Sequence, residues 1–127
     1  MPGRDEIEAK IRDLLVDVLA VDEADVTPDA RLTKDLGAES IDFLDIVFRL
    51  EQAFGIKINQ GELFPQNIAQ DQQFVRDGKV TDKGIAALKE KLPHADFDRL
   101  GQDPEVRRVA EVFTVDALVK FIERRLG

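Results

Sequence analysis

The sequence contains no cysteine and a single histidine, His94, in 127 residues. Without thiols it offers no disulfide, no thiol nucleophile and no thiolate metal ligand, and one imidazole cannot make a histidine metal cluster or relay. No apolar run is long enough to cross a bilayer. The first residues, MPGRDEIEAK, lack the basic and then apolar layout of a signal peptide, so we expect a cytoplasmic protein with no membrane insertion.

The charge of the chain is unevenly distributed. Apolar residues make up 43% and charged residues 35%, which is typical of a soluble globular protein, and the length predicts one domain, 1–127. The net charge is -8: residues 1–56 hold fourteen acidic and six basic residues, whereas residues 57–127 hold twelve of each. An acidic surface of this kind repels nucleic acid and favours basic patches on partner proteins.

The helical spacing of apolar residues predicts three long helices. The first spans about residues 4–20, the second begins near Ser40 and ends near Ala53, and the third follows Thr114, a good N-cap, at the carboxyl end. Gly55 is suited to end the second helix in a left-handed conformation. The acidic segment between the first two helices loses the periodicity, which indicates a connection with at most one short helical turn.

Residues 57–112 have a less regular pattern. We expect a turn at Asp77 and Gly78, a helix capped by Thr81, and a short helix in DPEVRRVAEVF with Asp103 as its cap. The stretch NQGELFPQNIAQDQQF is interpreted as a loop or a poor helix. Since no segment alternates with a period of two for long enough to predict a sheet, the expected fold class is all-α, an antiparallel helical bundle.

The second helix has two apolar faces. One carries Phe43, Ile46, Val47, Leu50 and Phe54, and the other carries Ile41, Leu44 and Phe48. Only one face can be the core of the bundle. The second face is either covered by the long segment that follows, or it meets a partner protein with Glu39, Asp42 and Asp45 as its charged rim.

Ser40 stands at the start of this helix, after the glycine-containing stretch DLGAE. Its ordinary interpretation is an N-cap that accepts a backbone N–H, worth about 1 kcal/mol. The functional alternative is an exposed hydroxyl, approached past Gly37, whose attached phosphate would face the positive end of the helix dipole. The dipole favours such an anion by roughly 0.3–1 kcal/mol, which orients the group without selecting the site.

The stretch DLGAESIDFLDIVFRLEQAFGIKI resembles the acyl carrier protein family, whose phosphopantetheine site is a D-S-L triplet that follows D-L-G at the start of the second helix. The VTPDARL loop and the closing FTVDALVKFIERRL also match, so the resemblance covers about residues 4–57 and 113–126. The modified serine of the family corresponds to Ser40, its preceding acid to Glu39 and its following leucine to Ile41, so both neighbours depart conservatively from the family pattern.

The resemblance implies an acyl carrier rather than an enzyme. A transferase would attach 4′-phosphopantetheine from coenzyme A to Ser40, with Gly37 giving access, and the arm would hold acyl groups as thioesters for fatty acid or specialised lipid synthesis. The implied partners are this transferase and acyl synthases and acyltransferases with basic docking patches, and we expect a monomer. The expected docking residues are Asp35, Glu39, Ile41, Asp42, Leu44, Asp45 and Phe48, and the expected acyl pocket is lined by Phe43, Val47 and Leu50.

The spacing from Ser40 to the last helix is much longer than in an ordinary carrier, which places a helical insertion at about residues 58–112. With this insertion the chain looks most like the specialised carriers of bacteria for very long or unusual acyl chains, such as those of lipid A. Ile85, Leu88 and Leu92 either supply apolar cover for a long cargo chain or complete the carrier's own core.

Two other functions are alternatives to a carrier. The first is a non-carrier helical module with Ser40 unmodified, which binds a basic protein through the second apolar face. The second is an enzyme that uses Asp35 and Glu39 beside Ser40, but no general base or metal motif lies near them, and His94 is interpreted as a loop histidine without a catalytic partner.

Overall fold

The computed structural model describes residues 3–59, 62–64, 73–100 and 104–126, and within these ranges it leaves out six side chains: Ser40, Asp98, Arg99, Val106, Arg107 and Ala110. These residues form four α-helices: α1 (Arg4–Leu19), α2 (Ser40–Phe54), α3 (Asp82–Lys91) and α4 (Val115–Leu126). Short 3-10 segments lie at Glu23–Asp25, Phe97–Leu100 and Val106–Val112. The all-α class and the long helices are confirmed.

The bundle consists of α1 packed against both α2 and α4. Helix α1 buries Ile7, Ile11, Leu14 and Leu15, which recur at helical spacing. Helix α4 is capped as expected, because Thr114 Oγ1 accepts the Ala117 N–H at 3.2 Å. Helix α2 ends at Gly55 in the left-handed region, with φ 64° and its N–H donated to the Glu51 carbonyl.

The connection from α1 to α2 is fastened to the start of α4 by backbone hydrogen bonds. The Leu32 N–H donates to the Phe113 carbonyl at 3.1 Å, and the Val115 N–H donates to the Ala30 carbonyl at 3.0 Å. Ala30 and Leu32 are buried. This anchoring fixes the loop that leads into α2.

A small hairpin, β1 (Val75–Arg76) with β2 (Lys79–Val80), was not predicted from the sequence. Its strands are too short to show an alternating pattern. The turn itself was predicted: Asp77 and Gly78 both have positive φ, 54° and 77°, as a type I′ turn requires. Helix α3 follows with the predicted cap, since Thr81 Oγ1 accepts the Gly84 N–H at 3.0 Å.

The short helix expected in DPEVRRVAEVF is a 3-10 segment that begins at Val106. The residues before it pair with the hairpin instead: the Pro104 carbonyl accepts the Val80 N–H at 2.7 Å, and Glu105 forms a bridge with Lys79. Pro104 therefore lies before this 3-10 segment and not in its first turn. The predicted cap, Asp103, lies outside the described residues.

The insertion and the bundle share one hydrophobic core. Aromatic rings join them: the Phe64 ring lies 5.2 Å from the Phe113 ring between centroids, and the Phe97 ring lies 6.2 Å from it. Leu88 and Leu92 of the predicted apolar stripe are buried, and Ile85 is half-buried. In the part of the chain that the structure describes, no helix is long and apolar enough to cross a membrane.

Candidate functional site

Helix α2 is capped by Glu39 and Asp42. Glu39 has extended backbone angles, and its carbonyl accepts the Asp42 and Phe43 N–H groups at 2.9 and 3.3 Å. Its own N–H donates to Asp42 Oδ2 at 2.8 Å, one arm of a capping box. Glu39 is therefore the N-cap and Ser40 is the first helical residue, so the interpretation of Ser40 as the cap was wrong.

The side chain of Ser40 lies outside the described part of the structure, so the exposure of its hydroxyl stays a prediction. Its backbone position is informative nonetheless. The backbone N–H groups of the first turn have no partner within the helix and point beyond its amino-terminal end, which is the positive end of the helix dipole. A serine there is not required for capping, because its neighbours already supply the cap.

Gly37 lies in the loop that leads into α2. Its φ is 74°, a backbone conformation that residues with a Cβ rarely adopt. Its N–H donates to the Thr33 carbonyl at 3.0 Å. A Cβ added at Gly37 would meet no atom within 4 Å, so glycine is required by the backbone angle and not by crowding. The space around this position is open, and the access role of Gly37 stays a prediction.

Asp35, a predicted docking residue, is hydrogen-bonded to Arg31. Its Oδ2 accepts the Arg31 N–H at 2.7 Å and Arg31 Nε at 2.9 Å. These hydrogen bonds lower the pKa of Asp35 to about 2, against the opposing effect of desolvation. Since the carboxylate charge is compensated within the loop, Asp35 attracts a basic partner less than an unpaired acid would.

Glu111 joins the insertion to the same loop, a contact that the sequence did not predict. Its Oε1 accepts Arg31 Nη1 at 3.2 Å and Lys34 Nζ at 3.3 Å, and its Oε2 accepts Arg108 Nε at 3.2 Å. The first two partners lie 80 and 77 positions away in the chain. Periodicity and capping signals are local, so no sequence pattern could have found this cluster.

The second apolar face of α2 is exposed. Ile41, Leu44 and Phe48, which we call the outer patch, are 71%, 70% and 55% exposed. The described part of the insertion leaves the outer patch uncovered, and its contact with a partner protein stays a prediction. Glu39 and Asp45 are exposed beside it, and Asp42 is half-buried.

Arg49, the one basic residue of α2, is held away from these acids. Its Nη1 contacts Asp17 Oδ2 of α1 at 2.5 Å. Both side chains are exposed, so the pair contributes little to stability. It does compensate the charge of Arg49, so the acidic rim of the outer patch is not neutralised by it.

The opposite face of α2 is turned to the core. Leu50 is fully buried, whereas Phe43 and Val47, the other two predicted pocket residues, are half-buried. The Phe43 ring lies 4.6 Å from the Phe64 ring of the insertion between centroids. The three predicted pocket residues thus lie on one face, with Phe43 nearest to Ser40.

His94 is in a turn after α3, as predicted, but it is buried and not at the surface. Its Nε2 lies 2.8 Å from the Leu63 carbonyl oxygen, and its ring packs 5.0 Å from that of Phe121. Burial lowers the pKa of His94, which favours the neutral imidazole. Among the described residues, no group of three histidine, aspartate or glutamate side chains is arranged to hold a metal ion.

The residues at the start of α2 fit a covalently attached phosphopantetheine. A hydroxyl amino acid occupies the first position of a 15-residue helix, its neighbours supply the cap, and the preceding loop has open space at Gly37. The positive end of the dipole suits the phosphodiester. When attached, this arm supplies the thiol that the sequence lacks and that holds acyl groups as thioesters.

Comparison with known proteins identifies the family. The family model described as a phosphopantetheine attachment site matches residues 9–69. The acyl carrier protein of Thermotoga maritima is 41% identical over 63 residues, which cover 50% of this chain and 78% of that protein. The acyl carrier protein of Petrotoga mobilis is 42% identical over 95 residues, which cover 75% of this chain and 98% of that protein.

A relative with a more specific name is also similar. The acyl carrier protein AcpXL of Brucella melitensis is 38% identical over 80 residues, which cover 63% of this chain and 77% of that protein. These matches confirm the carrier interpretation against the non-carrier module and the enzyme. The chain therefore belongs to the acyl carrier protein family, and it carries acyl groups on a covalently attached 4′-phosphopantetheine rather than catalysing a reaction.

Proposed function

We propose that Ser40 is the residue to which the phosphopantetheine arm is attached. The observation that carries the proposal is the capping of α2 by Glu39 and Asp42, which puts Ser40 at the first helical position and not at the N-cap. Ser40 is also the only serine of the chain, and it lies inside the segment matched by the attachment-site model. Glu39, Ile41 and Gly37 then flank the attachment point, with Gly37 on the open side of the loop.

The outer patch is the docking surface in this proposal. An apolar centre formed by Ile41, Leu44 and Phe48, with acids at its edge, suits a partner that has an apolar pocket and a basic rim. The partners are the phosphopantetheinyl transferase, acyl synthases and acyltransferases. Asp45 supplies most of the attraction, since Glu39 and Asp42 are engaged in the cap and Asp35 is paired with Arg31.

The cargo is proposed to be a long acyl chain, as in the specialised carriers for lipid A. The similarity to carriers named AcpXL and the insertion packed on the inner face of α2 both support this. Each methylene removed from water contributes about 0.8 kcal/mol, so a long chain gains from a larger apolar interior. Phe43, Val47 and Leu50 line the entry, whereas Leu88 and Leu92 are already buried in the core of the carrier.

We also propose that residues 1–127 form a single domain with the insertion at about 58–112, since both parts contribute to one core. A monomer is the simplest state, because the outer patch is needed by several partners in turn. The cytoplasmic location expected from the sequence stays a prediction.

The attachment proposal is tested by incubating the purified apo chain with coenzyme A and a broad-specificity phosphopantetheinyl transferase. Intact mass spectrometry is expected to find one added arm on the natural chain and none on Ser40→Ala. Thr33→Ala, which removes a hydroxyl from the same loop, is the matched control and is expected to take up the arm normally. An adduct on Ser40→Ala, or no adduct on the natural chain, would contradict the proposal.

A further inference from the structure

Phe64 of the insertion lies between α2 and the deep core. Its ring is 4.6 Å from that of Phe43, tilted by 46°, and 5.2 Å from that of Phe113, edge to face at 68°. Phe43 and Phe64 are half-buried, whereas Phe113 is buried. The three rings therefore form a row that leads from the surface near the start of α2 into the core shared by bundle and insertion.

This row begins next to the proposed attachment residue. Phe43 follows Ser40 by three positions, which is close to one helical turn, or about 4.5 Å along the axis. Further along the same face, Ile46 and Leu50 are fully buried. An apolar chain returning from an arm on Ser40 to the inner face of α2 thus meets Phe43 first, and it meets Phe64 in contact with it.

The contact between the two rings leaves no passage. Centroids 4.6 Å apart are at the short end of the range for aromatic pairs, so a methylene chain cannot lie between them. Ring contact and chain entry therefore exclude each other at this point. We call the Phe43–Phe64 contact the ring gate.

The backbone before Phe64 is held in place. The Leu63 carbonyl is 2.8 Å from His94 Nε2, and Leu63 is buried. Glu62 forms an ion pair with Arg125 of α4. With the chain anchored on this side, the movement that opens the ring gate is a rotation of the Phe64 side chain.

We propose that Phe64 is a specificity-determining residue for chain length, an inference that rests on the proposed attachment at Ser40. A short acyl group makes too few apolar contacts to displace the ring and stays outside. A long chain makes enough contacts to open the ring gate and passes along Phe43 towards Phe113. Phe64 thereby favours long-chain cargo over short-chain cargo.

Nuclear Overhauser effects between rings test the ring gate directly. The full chain is loaded with butyryl, octanoyl or palmitoyl arms by the transferase, and loading is checked by intact mass. The Phe43–Phe64 ring contact is expected in the unloaded and butyryl forms and is expected to be lost in the palmitoyl form, where chain protons contact Phe64. A palmitoyl form that keeps the ring contact overturns the ring gate alone. A chain that takes up no arm overturns the attachment proposal, and the ring gate with it.

Melting temperatures give a second, independent readout. The unloaded Phe64→Ala variant is expected to have a lower melting temperature than the natural protein. Palmitoyl loading is expected to raise its melting temperature by more, because the acyl chain fills space that the ring no longer occupies. Phe74→Ala, which truncates a half-buried ring beside the hairpin, is the matched control, and its melting temperature is expected to rise on palmitoyl loading as much as that of the natural chain. If Phe64→Ala does not fold, Phe64→Leu replaces it, with a smaller excess gain. An equal gain in the Phe64 variant and the natural chain overturns the proposal.

Discussion

The residues that cap α2 differ from the residue proposed to carry the arm, so helix stability and arm uptake can be changed separately. Asp42 is the residue with which to test this. Asp42 Oδ2 accepts the Glu39 N–H at 2.8 Å. Loss of a capping interaction costs about 0.5–2 kcal/mol, and an acid in the first turn contributes about 0.3–1 kcal/mol through the dipole. Asp42→Ala loses both and is expected to lower the free energy of unfolding by about 1–2 kcal/mol.

Two comparison variants divide this effect. Asp42→Asn keeps an acceptor oxygen and loses only the charge, so it is expected to cost about 0.3–1 kcal/mol. Ser40→Ala removes no cap and places a better helix former at the first position, so its effect is expected to stay within about 0.5 kcal/mol. In a chain of this size, about 1 kcal/mol corresponds to a shift of roughly 3–5 °C in the melting temperature.

Urea unfolding followed by circular dichroism measures the three variants, and intact mass after transferase treatment measures arm uptake. We expect Ser40→Ala to be as stable as the natural chain and to take up no arm. Asp42→Ala is expected to be less stable and still to take up the arm at saturating transferase. A loss of about 1 kcal/mol or more in Ser40→Ala, or none in Asp42→Ala, would refute the assignment of the cap.

Three further predictions concern other parts of the molecule. Because burial lowers the pKa of His94, the folded chain binds fewer protons at this residue than the unfolded chain does. The stability present above about pH 6.5 is therefore expected to fall as the pH drops below that value. Urea midpoints measured down to about pH 5 check this. Thr114→Ala removes the acceptor of the Ala117 N–H and is expected to cost about 0.5–2 kcal/mol in the same assay, whereas Thr114→Ser is expected to cost less. Leu44→Arg, at a residue 70% exposed, is expected to change stability by less than about 0.5 kcal/mol and to slow arm uptake in a timed mass assay, since it places a cation before a basic partner.

Each of these has an outcome that contradicts it. For His94, the variant His94→Gln should flatten the dependence on pH in that window, and an unchanged slope would assign the effect to other groups. For Thr114, equal midpoints of the alanine and serine variants would show that the hydroxyl does not cap α4. For Leu44, an uptake rate equal to that of the natural chain would exclude the outer patch as the transferase contact.

Local signals in the sequence determined much of the helical framework. The bounds of α1, α2 and α4, the caps Thr81 and Thr114, and the left-handed end at Gly55 depend on residues within a few positions of one another. The start of α2 after DLGAE was predicted for the same reason. The exact cap was not, because Glu39 and Ser40 are neighbours and both precede the apolar run. The hydrogen bond from the Glu39 N–H to Asp42 Oδ2 identifies Glu39 as the cap.

The tertiary structure decided which neighbours those helices have. Helical spacing gives α2 two apolar faces, but it does not say that the insertion covers Phe43 and leaves Leu44 exposed. It also gives no sign that Glu111 reaches the loop before α2, or that Pro104 pairs with the hairpin and delays the next helical turn. These contacts join residues far apart in the chain. They depend on how whole helices and strands pack together, whereas periodicity and capping signals predict only the local conformation of one segment.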